Sequence, residues 1–345
     1  MWSVKKKHST ALRVLFVLVL GVLVAGCGTA PISGGDQPVS SSGAGAKSQP
    51  DQTTQLKVAL PSKNVSYLPF YVADKKGIFK KYNLDVSYTT VQGGVTALRG
   101  LQTGEFQIIS SLPESVITGV AEGANVKLIG TLDDKSMYSI FVLPEIKSVQ
   151  DLKGKVAATN RPGNGTDIQL RWWLKKNGLE PGKDVRIIEA GENPGRLQAL
   201  ITGQAQVTIL SQPTDLKAEE AGMKRLALMR DELKTYNHNM IVANGNLLKN
   251  QPEVAKAFMA AEAEAVAFIK NPANRNEIVK LVMEELQMSK EAAAKSVEFV
   301  LPALADQGKM NLEGVKWAID TTKEAGVLKK NLPVDHVVDE RYYVK

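Results

Sequence analysis

The strongest constraint on this chain is that part of it is written twice. Residues 85–107 recur without a gap 99 positions later, with Asp85/Asp184, Val86/Val185, Leu98/Leu197, Leu101/Leu200, Thr103/Thr202, Gly104/Gly203 and Gln107/Gln206 identical. The matches fall where elements begin and end. Around the first copy, Leu56-Lys57-Val58-Ala59-Leu60 is a β-type run stopped by Pro61, and Tyr67 to Lys76 reads as a helix closing at Gly77. Leu84 to Tyr88 is a strand, Gly93-Gly94 opens a helix to Thr103-Gly104, and Phe106 to Ile109 is a third strand. The second copy gives a strand at Lys155–Ala158, a helix from Thr166 to Asn177 and a strand at Asp184–Ile188. A helix from Pro194 to Thr202 and a strand at Gln206–Leu210 complete it. Such alternation predicts mostly parallel sheets covered on both faces, and two copies predict two similar α/β lobes.

The chain on either side is different. From Pro252 onward it reads as helices, with Pro252 and Pro272 at first-turn positions, Ser289 and Asn311 as N-caps, and an apolar stripe at Val254, Phe258, Ala261, Ala265 and Phe268. Before the first strand, Lys5, Lys6, Lys7 and Arg13 precede an apolar run from Val14 to Val24, and Leu23-Val24-Ala25-Gly26 leads to Cys27. A charged start, a short apolar stretch and small residues before a cut site are the pattern of an export signal. The run is shorter than the roughly 20 residues that span a bilayer. Residues 28–55 hold five Gly, five Ser, three Pro and no aromatic residue. A segment of that composition buries too little apolar surface to offset its ordering entropy. As a flexible coil it would reach roughly 30 Å root-mean-square.

Composition narrows the chemistry. The formal charge of +7 includes four Lys/Arg and no acid in residues 1–26, which leaves +3 from residue 27 onward. No basic cluster interleaved with aromatics follows, so nucleic acid is excluded as a partner. One cysteine permits neither an intrachain disulfide nor a cysteine-based zinc site. His238 and His336 have no partner at metal-ligand spacing, and each reads as a surface or satisfied histidine. Asp133-Asp134, being adjacent, reads as a turn rather than an acid/base pair. HExxH, GxSxG, phosphate-loop and dinucleotide motifs are absent from the sequence. The chain is therefore expected to be no enzyme, to hold no metal or cofactor, and to be a monomer.

What recurs instead is a set of small, polar loops that follow strands and lead into helices: Ser62 to Ser66, Gln92 to Gly94, Ser110 to Glu114, Asn160 to Thr166, Gly191 to Asn193 and Ser211 to Thr214. In open α/β sheets, ligands bind outside the carboxyl ends of strands, where helix N-termini favour a negative group. The expected ligand contacts are Ser62, Asn64, Tyr67, Gln92, Gly93, Ser111, Glu114, Arg161, Asn164, Thr166, Asn193 and Gln212. Arg161 is the expected partner of a carboxylate, sulfonate or phosphate. Tyr67, Tyr138, Trp172 and Trp173 offer an aromatic wall. Because adjacent helical residues face apart, at most one of the two tryptophans lines a cleft.

Read together, Leu68-Pro69-Phe70-Tyr71-Val72-Ala73, Gly77-Ile78-Phe79, Leu84-Asp85-Val86, Gly93-Gly94 with Leu98, Thr103-Gly104-Glu105, Val149 to Ala157, Gly178-Leu179 and Asn250 to Val254 resemble one family. It comprises the solute-binding proteins of ABC importers, in the group that takes nitrate, taurine, aliphatic sulfonates and thiamine precursors. The family usually carries aspartate where this chain has Gln107 and Gln206. The start of the chain likewise resembles a bacterial lipoprotein signal, whose invariant cysteine is lipidated. These resemblances imply a periplasmic-binding-protein type II-like fold, with two mixed, mostly parallel sheets joined by a two-strand hinge. They imply a signal peptide at 1–26, a disordered tether at 27–55, a first lobe from 56–143 and 236–345, and a second from 144–235. The chain would leave the first lobe near Val142–Ile146 and return near Asn239–Ala243. The implied role is an extracytoplasmic receptor, lipid-anchored at Cys27 on the membrane's outer face (periplasm or cell exterior), that hands a small organic or oxyanionic ligand to ABC permease subunits. The alternatives are a ligand-sensing module and an enzyme like the fungal pyrimidine-precursor synthase; the latter needs a cysteine-rich motif that is absent.

Overall fold

The described part of the chain, residues 53–344 of a computed structural model, builds two five-stranded sheets. In chain order the first strands are β1 (Thr54–Leu60), β2 (Leu84–Thr90), β3 (Ile108–Ser111) and β4 (Val126–Thr131). Then come β5 (Tyr138–Val142), β6 (Val156–Thr159), β7 (Arg186–Glu189), β8 (Val207–Ser211), β9 (Lys224–Leu228) and β10 (Met240–Asn244). The first sheet has the order β2-β1-β3-β10-β4 and the second β7-β6-β8-β5-β9. In each, one strand next to the edge runs against its neighbours: β10 in the first and β5 in the second.

The repeat is a repeat of geometry. Val58 pairs with Ile108 and Lys57 with Ser87; 99 residues later Ala157 pairs with Val207 and Val156 with Arg186. Gln107 and Gln206 explain why the register is kept. Gln107 Oε1 accepts from Lys57 N (2.9 Å) and its Nε2 donates to Gly104 O (3.1 Å). Gln206 does the same with Val156 N (3.0 Å) and Gly203 O (2.8 Å). Each glutamine thus ties the start of one strand to the end of a helix. Gly104 and Gly203 close those helices at φ of 81° and 71°, a region that glycine enters without the Cβ penalty. The likeness extends beyond the matched residues, because both reversed strands carry a bulge at the same step, after Ile140 in one and Ile241 in the other.

Helices cover the sheets. The first lobe begins with α1 (Leu68–Lys75), α2 (Ile78–Lys81), α3 (Gly93–Thr103) and α4 (Pro113–Ala121). The second contains α5 (Gly165–Lys176), α6 (Asn193–Ile201), α7 (Thr214–Glu220) and, at its exit, α8 (Met229–Glu232). After β10 come α9 (Gly245–Asn250), α10 (Pro252–Lys270), α11 (Arg275–Leu286), α12 (Lys290–Val300), α13 (Leu312–Glu324) and α14 (Val334–Val337). Alternation along β1 sends Val58 and Leu60 to a core with Phe70, Phe258, Ala261, Ala265, Ile278 and Val297, and sends Ala59 to a second core with Leu98, Leu101, Val116, Val315 and Ile319. Trp173, 1% exposed, anchors the second lobe with Leu170, Leu174, Ala157 and Val207. Ser289 Oγ accepts from Ala292 N (3.2 Å) and Asn311 Oδ1 from Glu313 N (3.0 Å), so α12 and α13 start where those caps place them.

Three details differ from the sequence reading. The strand order puts β5 in the second sheet, so the chain crosses between the sheets at 132–137 and not near Val142–Ile146. Every residue of β5 is buried, and an apolar run does not say which sheet it joins. Asp133-Asp134 is not a hydrogen-bonded turn: it lies in that crossover, with Asp133 fully buried and bridged to Leu304. Strand β1 also begins two residues before the expected start of the first lobe at 56, because Thr54 and Gln55 pair with Leu84 and Asp85 of β2. The signal and Cys27, like most of the tether, lie outside the described residues. Among the described residues no helix is long and apolar enough to cross a membrane.

Candidate functional site

The carboxyl ends of β1, β3, β6 and β8 carry the polar loops, and the two crossovers run beside them. The first crossover, 132–137, and the second, which ends at Asn239, are bonded to each other: Leu132 N donates to Asn239 O (2.8 Å) and His238 N to Asp133 O (2.9 Å). Side chains extend the tie. Tyr67 Oη donates to Asn239 Oδ1 (3.2 Å), and Asn239 Nδ2 donates to Asp133 Oδ2 (2.6 Å). Burial pushes the Asp133 carboxyl well above its usual range, with the Asn239 hydrogen bond acting against the shift.

A second chain of bonds links four separate elements. Ser136 Oγ donates to Gln169 Oε1 (3.1 Å), Gln169 Nε2 to Tyr236 Oη (2.9 Å), and Tyr236 Oη to the Glu114 carboxylate (3.0 Å). All four residues are buried. Every donor points the same way along the chain, an arrangement in which each bond polarises the next. Glu114 is fully buried with no cation beside it, and desolvation pushes its carboxyl up to about 7 despite the phenol. His238 lies edge-on to Tyr138 (4.6 Å) and Tyr236 (6.0 Å). Burial lowers it to about 3, so the imidazole is neutral at ordinary pH. Its Nδ1 has no hydrogen-bond partner, so it is neither the surface nor the satisfied histidine the sequence suggested.

The expected contacts fall into three groups. Tyr67, Ser111, Glu114, Thr166 and Gln212 are buried at the strand ends. Thr166 lies beside the Tyr138 phenol, which burial pushes up against the Thr166 hydrogen bond, and Gln212 Oε1 has no partner. Asn64, Asn164 and Asn193 are occupied structurally. Asn64 and Asn164 cap the turns at Ser66 N (2.8 Å) and Asp167 N (3.0 Å), with Ser62 Oγ accepting from Asn64 Nδ2 (2.7 Å). Asn193 binds Ser211 and Arg196. Gln92 is exposed, and Gly93 stands at the first turn of α3. Arg161 is exposed, with no side-chain hydrogen bond or ion pair in the structure. The tryptophans divide: Trp173 is core, and Trp172 meets Trp317 of the first lobe edge-on at 5.5 Å.

Sequence reasoning missed the cation that is buried. Arg196, 1% exposed, donates to Ile209 O (2.9 Å), Gly191 O (2.8 Å) and Asn193 Oδ1 (2.7 Å), with no carboxylate bonded to it. It places a positive charge under the ends of β8 and α6, where Tyr138 and Glu192 feel it. Ser110 Oγ at the end of β3 and Thr159 Oγ1 at the end of β6 are likewise buried without partners. Polar atoms of this kind have bonding capacity that the protein itself does not use. A groove of about 470 Å³ lies between α5 and α13, lined by Arg171, Trp172, Lys175, Glu324 and Val327 together with Pro162 and Gly163 of the loop after β6.

Comparison with known proteins agrees with this architecture. The chain is similar to the putative binding protein YtlA of Bacillus subtilis, at 23% identity over 300 residues that cover 85% of this chain and 90% of the relative. It is similar to the nitrate/nitrite binding protein NrtA of Synechococcus elongatus, at 23% over 265 residues, covering 68% of this chain and 58% of that protein. Its fold matches the crystal structure of the periplasmic aliphatic sulphonate binding protein SsuA from Escherichia coli, with a TM-score of 0.72 at 17% identity over 86% of this chain and 94% of that one. The family model described as NMT1/THI5 like spans residues 64–276, from the loop after β1 to the start of α11 with both crossovers included, and the chain belongs to that family.

Proposed function

We propose that this protein is an extracytoplasmic solute receptor that captures a small oxyanionic ligand between its lobes and delivers it to an ABC importer. The observation that carries the reading is the set of buried polar atoms without partners at the strand ends and crossover: Ser110 Oγ, Thr159 Oγ1, Gln212 Oε1 and His238 Nδ1. They come from both lobes, as a site that closes around its cargo requires. Hydroxyl and amide groups with a neutral imidazole suit hydrogen bonding to a small solute, and the buried Arg196 tilts the second lobe toward an anion. Relatives whose names specify nitrate or sulphonate support the same class. The role asks for no bond making, so no catalytic group is assigned. Cys27 would carry the lipid, and residues 27–55 would tether the body near its permease at high effective concentration.

The test is thermal unfolding of the full chain against nitrate, sulfonates, carboxylates and pyrimidines, paired with native mass spectrometry of co-purified solute. A ligand at a hundred times its Kd stabilises by about 2.7 kcal/mol, a readily measured rise in Tm. No rise with any class and no co-purified solute would reject the receptor reading.

A further inference from the structure

We propose that Glu114 takes the oxyanion as a neutral acid: its carboxyl O–H donates to the solute, so the site accepts an anion while Glu114 holds its proton and rejects one when that proton is lost. The carboxyl is fully buried in the first turn of α4. The groups that favour its charge are its own backbone N–H and the Tyr236 phenol, and neither is a cation. Helices α3, α5, α13 and α14, which pack on α4, add no charge to its shift. A carboxylate in such a place costs far more than a neutral acid, which is why desolvation carries the group up to about 7.

The hydrogen bonds say where the acid's own proton can go. They start at Tyr138 N, a group that can only donate, which gives to Ser136 Oγ (3.4 Å). Ser136 then gives to Gln169, Gln169 Nε2 to Tyr236 Oη, and Tyr236 Oη to both Glu114 oxygens. The phenol's one proton is therefore directed at Glu114. A neutral Glu114 carries an O–H of its own, and no acceptor for it is bonded among the described residues. That carboxyl borders the second lobe: Oε2 lies against Gly165, the first residue of α5, where a side chain would overlap it. The Tyr138 phenol marks the meeting point, since it feels Glu114 from the first lobe and Arg196, Thr166 and Glu192 from the second. An anion there gains from Arg196 and from a neutral donor opposite, whereas an ionised Glu114 would set like charges together in a dry site. The other titratable neighbours keep their charge near pH 7. Burial pushes Tyr138 and Tyr236 up, and His238, edge-on to both, down to about 3.

Glu114 has this role only if the site is an oxyanion receptor, and the two claims can fail separately. The probes are nitrate and methanesulfonate, both fully ionised throughout the range used. Each is titrated calorimetrically into the full chain from about pH 5.5 to about pH 8.5, in two buffers of different ionisation heat. Parent affinity is expected to fall about tenfold per pH unit above 7, with about one proton taken up per anion at the alkaline end and none at the acid end. Glu114→Gln keeps a donor in the same place, so its affinity should match the parent's at low pH and stay level as pH rises. At the alkaline end the variant should bind about tenfold or more tightly than the parent. Parallel pH profiles in parent and variant overturn the proposed role and leave the receptor standing. So does anion binding by the parent without alkaline proton uptake, which holds even if the variant fails to fold. Binding of neither anion by parent or variant at any pH overturns the oxyanion reading and the role of Glu114 with it.

Discussion

The two lobes share a frame and differ in what they bury. Register, glutamine tie and bulge coincide, yet under the 99-residue offset Ala97 in the first lobe stands where Arg196 stands in the second. Both are buried, at 0% and 1% exposure. Ala97 packs with Leu98 and Leu101 against the sheet. Arg196 threads a guanidinium between strand-end carbonyls. The buried acid with no cation beside it, Glu114, belongs to the first lobe. The frame thus leaves each lobe free to bury a different ionisable group near its strand ends.

The sharpest way to break this comparison is to exchange the paired residues. Ala97→Arg would add a long side chain and an unpaired charge to a filled core, and we expect a loss of about 5 kcal/mol or more, read as failure to fold cooperatively in urea. Arg196→Ala removes the three hydrogen bonds the guanidinium donates, and about 3 kcal/mol is expected by the same measurement. Equal effects at the two positions would mean the lobes do not differ as described.

The acid in the first lobe gives an intermediate effect with a defined pH dependence. Burial raises Glu114 from 4.5 to about 7. The folded protein therefore holds a proton that the unfolded chain gives up. The stability this provides is full below pH 4.5 and is lost as pH rises through 7. Glu114→Gln should flatten the unfolding free energy across that window, by up to about 3 kcal/mol. Asp215, raised to about 6, leaves some slope of the same sign, and His238, lowered to about 3, acts in the opposite sense below pH 6.5. An unaltered pH profile in Glu114→Gln would show that the carboxyl is hydrated.

The smallest expected effect probes the shared frame. Gln107→Ala and Gln206→Ala each remove two hydrogen bonds near the surface, about 1 kcal/mol apiece in chemical denaturation. The two losses should agree within about 0.5 kcal/mol and add in the double variant, since the sites lie in separate sheets. A disparity of twofold or more would show that only one tie supports its strand.

Much of this frame was legible in sequence, and the reason is local. Gly104, Gly203, Ser289 and Asn311 act within a few residues of themselves, so chemistry and spacing suffice. The loops after strands were legible on the same ground. What escaped was non-local. Tyr236, Gln169 and Ser136 sit on a crossover, inside a helix and on the other crossover, and nothing in their neighbourhoods shows that they meet at Glu114. The assignment of β5 failed likewise, because its partners β8 and β9 are far along the chain. Arg196 had a usable signal. The offset places it opposite Ala97, one residue before the apolar pair Leu98/Leu197, and so on an inward face. Arg161, chosen for its loop, carried no such mark and is exposed.

The reversed strand in each sheet also sets an order of assembly. All five strands of the second lobe, β5 to β9, lie in one uninterrupted stretch of chain, Tyr138 to Leu228. The first lobe must wait, because β10 lies between β3 and β4 and is made after the whole second lobe. On a ribosome or a translocon, the second lobe can therefore complete its sheet while the first still has a gap. Domains tend to fold as units while the chain emerges. The first lobe must also close its sheet over a long intervening loop, which slows non-local pairing. A chain cut before Met240 would keep a finished second lobe beside a first lobe whose edge strand β4 has nothing to pair with.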